Sequence, residues 1–125
     1  MAKVMVVMRL QVESNREAPS LSRSRLASVR SKLEPRYEDV VLVVSELVTN
    51  SVRHGSSTGI DVKVTAQEGR IRVEVADDGP GFSADAPRGE GLGLSIVEKV
   101  ADSWGLSEDR SRFTVWVELS TPDGG

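Results

Sequence analysis

The sequence contains no cysteine. That excludes a disulfide framework, a thiolate zinc site and a cysteine nucleophile. Its single histidine excludes a multi-histidine metal site and a phosphate relay between histidines. Aromatic residues are 4% of the chain, too few for base-stacking platforms. Positive charge is not in excess: 16 Lys and Arg face 19 Asp and Glu, for a net charge of -3. A protein that grips nucleic acid by neutralising phosphates would ordinarily be basic. Long apolar runs are missing too, since Val4 to Met8 and Val40 to Val44 are the longest. A membrane-spanning helix needs about 20 apolar residues. No small-residue cleavage site follows the N-terminal apolar stretch, so a cytoplasmic protein is expected.

What is present is the balance of a soluble globular chain, with 38% hydrophobic and 28% charged residues. A length of 125 residues suits one ordinary domain. Val4 to Val12, rich in Val and Met, reads as a strand. Leu21 to Leu33 carries Leu26, Val29 and Leu33 at helical spacing, with Arg23, Arg25, Arg30 and Lys32 on the other face. That basic stripe is a solvated face or a partner surface. Pro35 ends this helix.

Tyr37 to His54 places Val40, Val44, Leu47, Val48 and Val52 on one helical face, with Gly55 as terminator. Ile60 to Val64 and Ile71 to Val75 alternate as a β-hairpin. Asp77 to Arg88 reads as loop, Leu92 to Trp104 as helix and Phe113 to Leu119 as a final strand, with a further short strand near Leu106. Thr121 to Gly125 are expected to fray. The hairpin and the paired helices argue against a doubly wound parallel sheet. They predict an α+β two-layer sandwich: a mostly antiparallel mixed sheet, about three helices on one face and water on the other.

Three clusters could carry chemistry. On the helix of Tyr37 to His54, residues four apart stack, so Glu46, Asn50 and His54 form a polar stripe edged by Arg53. Asn is a poor mid-helix residue. An amide oxygen and a carboxylate suit Mg²⁺, although a solvated helix edge would look the same. Next, Asp77 to Phe82 puts an acid at a strand tip before the Gly79-Pro80-Gly81 turn. Its carboxylate could accept from an exocyclic amine, and the glycines admit a flat ligand, or the segment is an ordinary surface turn. Finally, Gly89, Gly91 and Gly93 precede a helix start at Leu94 and could cradle phosphate, unless they are a linker. The spacing is neither a Rossmann fingerprint nor a Walker loop.

The three clusters, in this order, resemble the GHKL ATPase superfamily with its Bergerat ATP-binding fold, which includes gyrase, Hsp90, histidine kinases and MutL. Glu46 to Asn50 is similar to the N box, Asp77 to Gly81 to the first glycine box and Gly89 to Leu94 to the second. Ser45 to His54 and Thr114 to Trp116 look closest to the stand-alone RsbW-type branch of anti-sigma-factor serine kinases. The resemblance implies one histidine-kinase-like ATPase domain over residues 1–125, with ATP and Mg²⁺ as cofactors. It implies that Asn50 holds Mg²⁺ and that Glu46 is the catalytic base. Asp77 would select adenine, and Gly79 and Gly81 would line its pocket. Gly89, Gly91, Leu92, Gly93 and Leu94 would hold phosphate, with Arg53 within reach and Thr114 beside the adenine. His54 would be a packing or hydrogen-bonding residue. Expected partners are a sigma factor and an anti-anti-sigma antagonist, with a homodimer and no direct contact to nucleic acid or membrane.

The segment between the glycine boxes, Phe82 to Arg88, is short, and a short lid excludes water poorly. An ATP-binding switch with little phosphotransfer is therefore the alternative to a kinase. The segment Ser111 to Thr114 stands where the related pattern usually has Gly and Thr. A histidine-kinase fragment would need a phospho-accepting histidine on a helix pair, and gyrase-like or MutL-like roles would need a transducer domain. Neither feature is found here.

Overall fold

A computed structural model of the chain describes residues 3–55, 59–78, 94–109 and 112–122. Five strands form one sheet: β1 (Met5–Glu13), β2 (Gly59–Gln67), β3 (Arg70–Asp77), β4 (Ser103–Asp109) and β5 (Arg112–Ser120). Among the described residues, three α-helices accompany them: α1 (Ala18–Ala27), α2 (Tyr37–Asn50) and α3 (Leu94–Val100). The spatial order is β1-β2-β3-β5-β4, so β1 and β4 are the edges. Every pairing among the described residues is antiparallel, in line with the predicted α+β sheet.

The period-2 alternation decides which face of the sheet is buried. Ile71, Val73, Val75 and Asp77 of β3 face inward, as do Phe113, Val115, Val117 and Leu119 of β5. β2 adds Ile60, Val62 and Val64, and these side chains meet Leu26, Leu33, Val40, Val44, Leu47 and Val48 from the helical layer. The β2–β3 hairpin closes through Glu68 and Gly69, between the paired Gln67 and Arg70. Gly69 has φ 82°, a left-handed conformation that glycine adopts without steric cost. In β1 the register shifts between Val6 and Met8, a bulge in this edge strand.

The elements depart from the sequence reading at several ends. The first helix stops at Ala27 instead of running to Leu33, and Arg30–Lys32 form a 3-10 turn. The Ser28 hydroxyl donates to the Arg25 carbonyl at 2.6 Å, so a side chain competes for the helical acceptor. Leu26 and Leu33 are nevertheless both fully buried. The last helix ends at Val100 rather than Trp104, and Trp104 belongs to β4. Here strand pairing wins: Asp102 N–H donates to the Glu118 carbonyl at 2.9 Å, and Ser120 N–H to the Asp102 carboxylate at 2.5 Å. Thr121, expected to fray, donates its N–H to the Gly69 carbonyl at 2.9 Å.

Arg36, just before α2, ties the two layers together. It pairs with Asp39 at 2.8 Å and donates to the carbonyls of Ser120 at 2.6 Å and Val100 at 3.1 Å. Among the described residues, no helix is long and apolar enough to cross a membrane.

The outer face of the sheet is polar and laced with ion pairs. Arg72 bonds Glu74 and Glu118, both at 2.8 Å, and lies 4.6 Å from the Trp116 ring centroid. Arg70 adds a second ion pair to Glu118 at 3.2 Å. Burial pushes the Glu118 carboxyl up, but hydrogen bonds and charge from Arg72 and Arg70 outweigh it and hold the group below the usual carboxylate range.

Candidate nucleotide site

The site forms where the end of α2 meets the end of β3. α2 begins with Glu38 and Asp39, which suit the positive end of the helix dipole. Its apolar face then runs through Val40, Val43, Val44, Leu47 and Val48. Continuing that period carries the chain to Asn50 and Ser51, polar residues in positions that would otherwise be core. Both are buried, Asn50 at 2% and Ser51 at 6% exposure. The sequence reading put Asn50 on a stripe beside the apolar face, and the structure turns it further inward. Glu46, one turn earlier, is half-buried and has no hydrogen bond or ion pair among the described residues.

After Asn50 the α-helix widens into a π-turn, Ser51–Gly55. Such turns recur at functional sites because they redirect side chains. The Ser51 N–H still closes onto Leu47 and Val48 carbonyls. Arg53 lies exposed on this turn, within the stretch expected to reach phosphate. His54 lies on it too, with its side chain outside the described residues.

Asp77 arrives from the sheet. Val73, Val75 and Asp77 share one face, so alternation alone delivers a carboxylate to the core side of the strand tip, where it is 4% exposed. The Ser51 hydroxyl donates to Asp77 Oδ2 at 2.7 Å. This bond joins α2 to β3 and places Asn50 in the residue beside it. Sequence reasoning did not single out Ser51. Its signal was present: a hydroxyl at a position that helical periodicity assigns to the core.

Thr114, expected beside the adenine, lies on β5. Asp77 pairs with Phe113, and Thr114 pairs with Ala76. Alternation therefore turns Thr114 to the outer face, where it lines a shallow cleft with Arg9, Lys63 and Glu74. It does not sit beside the Asp77 carboxylate, because one residue along a strand reverses the face. Leu94 opens α3 and is buried at 2%. Gly79, Gly81, Gly89, Gly91, Leu92 and Gly93, expected to line the base pocket and hold phosphate, lie outside the described residues.

The donor set can be tested against a nucleotide and Mg²⁺. The Asn50 Nδ2 atom is buried with no hydrogen-bond partner among the described residues. A buried amide without a partner costs the fold about 1–3 kcal/mol, so a ligand there offsets a cost already present. Turning that amide end for end presents an oxygen, a hard ligand suited to Mg²⁺. No cluster of three or more His, Cys, Asp or Glu exists among the described residues. A cation would therefore rest on few protein ligands, as Mg²⁺ does when phosphates supply the rest. The buried Asp77 carboxylate is an acceptor, the chemistry an exocyclic amine requires. These residues fit the two groups.

A sheet of this order, helices on its inner face and a polar cluster at the α2–β3 junction define an α+β protein with a candidate ligand site at that junction. Residues 36–125 match the histidine kinase-, DNA gyrase B- and HSP90-like ATPase family, and the chain belongs to it. It is 29% identical over 123 residues to a serine-protein kinase RsbW of Listeria monocytogenes, covering 80% of this chain and 78% of that one. It is 29% identical over 126 residues to an anti-sigma F factor of Clostridium acetobutylicum, covering 86% and 87%. In fold it is similar to the RsbU and RsbW domains of a Mycobacterium tuberculosis protein, with a TM-score of 0.69 at 22% identity. That match covers 92% of this chain and 33% of the mycobacterial one. The histidine kinase AdeS of Acinetobacter baumannii gives a TM-score of 0.59 at 14% identity, over 90% of this chain and 68% of that one.

Proposed function

We propose that the protein binds ATP with Mg²⁺ at the α2–β3 junction and acts as a protein serine kinase that is also an anti-sigma factor. The observation that carries this reading is the junction itself. One helix end offers a half-buried acid, Glu46, and a buried amide, Asn50, and Ser51 ties that end to the buried Asp77. The names of the Listeria and Clostridium relatives support the kinase and anti-sigma parts.

Asp77 accepts from the amine of the base, and Asn50 offers its amide oxygen to the metal. When bound, Mg²⁺ neutralises charge on the phosphates. Glu46, without a competing partner among the described residues, takes the proton from an attacking serine hydroxyl of the antagonist protein. Gly79 and Gly81 are assigned to the base pocket. Gly89, Gly91, Leu92, Gly93 and Leu94 are assigned to the phosphates, with Arg53 reaching them from the π-turn. The partners are a sigma factor and its antagonist, and the assembly is a homodimer. Strand β1 supports a protein contact, since it is a sheet edge whose start exposes Met5 and Val6, with Val4 exposed just before it. The site of action is the cytoplasm.

The test is transfer of γ-phosphate label to a purified antagonist, for the native chain and for Glu46→Gln. Transfer by the native chain and none by the variant, at unchanged ATP affinity, is the expected result. ATP binding with no transfer by either protein would replace the kinase with an ATP-gated interaction module. The seven-residue segment from Phe82 to Arg88 is the feature that favours that second reading.

A further inference from the structure

We infer that Ser51 is a positioning residue for nucleobase selection, aiming the Asp77 carboxylate at the 6-position of the purine. This rests on the nucleotide reading above and adds to it a residue and a specificity. A carboxyl group on a short side chain turns easily, because its last torsion is broad and two-fold. The Ser51 hydroxyl holds one orientation by donating to Asp77 Oδ2 at 2.7 Å. Both residues are nine-tenths buried or more, at 6% and 4% exposure, so water competes weakly for the bond.

The direction of this bond also matters. A hydroxyl has one proton, and Ser51 spends it on Asp77. The ionised carboxylate is acceptor-only, so it accepts from a 6-amino group and repels a 6-oxo group. A base with an amine there is selected over one with a carbonyl, and a site built on a buried polar contact discriminates steeply. Ser51 also follows Asn50 directly, so one short stretch of helix end sets both the base contact and the metal-side amide.

The experiment titrates the full chain with ATP and with ITP, its 6-oxo analogue, by calorimetry, for native protein and for Ser51→Ala, Ser51→Thr and Ser51→Cys. ADP is titrated in parallel to report the phosphate side. The native chain is expected to prefer ATP. Ser51→Ala should narrow the ATP-to-ITP ratio about tenfold, in keeping with loss of one charge-assisted bond, and leave the ATP-to-ADP ratio alone. Ser51→Thr should restore the base ratio, and Ser51→Cys, a weak donor of similar size, should fall between. Should Ser51→Ala fail to fold, the Cys and Thr variants carry the same comparison. A base ratio unchanged in the variants, with ATP still bound, overturns the positioning role alone. A native chain that binds neither nucleotide overturns the ATP reading and this inference with it.

Discussion

Asp77→Asn separates a binding carboxylate from a structural one. The side chain keeps its shape and loses its charge. One oxygen remains to accept from Ser51, which the native carboxylate does at 2.7 Å. The amide nitrogen must then face the base, so a donor opposes a donor. Losing a hydrogen bond to a charged group costs about 1.5–3 kcal/mol, or roughly 10- to 150-fold in Kd. Stability should stay still. The side chain is 4% exposed, and the variant keeps its shape and an oxygen that accepts from Ser51, so the fold keeps that bond. Calorimetric titration with Mg-ATP and thermal melting without nucleotide measure the two effects on the same samples. Lower affinity with an unchanged melting temperature is expected. Equal affinity would mean that Asp77 does not contact the base. A large fall in melting temperature in step with affinity would make Asp77 an anchor of the fold, and the reasoning would fail.

Other parts of the structure give further expectations. Leu119→Ala, at a fully buried position of β5, should lower unfolding free energy by about 2–5 kcal/mol in urea titration. Gly105→Ala would set a methyl group 2.7 Å from Trp116 Cζ2, so the indole must move off its place beside Arg72. A loss of about 1–3 kcal/mol and a shifted tryptophan emission should follow. Glu118 is held below the usual carboxylate range, so its contribution is present above the unfolded value, about 4.3, and is lost as pH falls through the lower folded one. Acid unfolding of Glu118→Gln should therefore depend less steeply on pH in that window than unfolding of the native chain, and an unchanged slope would count against the Arg70–Glu118–Arg72 network.

Local chemistry explains what was legible. The alternation of Ile60 to Val64 and Ile71 to Val75 marks a hairpin because side chains on a strand take turns between faces. The run from Val40 to Val48 marks a helix because its apolar residues share one face. Element ends were less legible, since they depend on competition between local and distant partners. Trp104 continues a helical pattern, yet Asp102 is claimed by Glu118 and Ser120 of β5, and the chain turns into a strand. The face taken by Thr114 was legible, since its place between Phe113 and Val115 already put it on the polar side of β5.

The sequence alone determined the α+β class, the order of the motifs and the strand-tip acid at Asp77, because periodicity and turn chemistry act over a few residues. Only the tertiary structure decided that β5 inserts between β3 and β4, that Asn50 is buried with an unpartnered nitrogen, and that Ser51 reaches Asp77. The Ser51–Asp77 bond joins residues 26 positions apart. Such contacts depend on how the layers pack, and no local pattern encodes that.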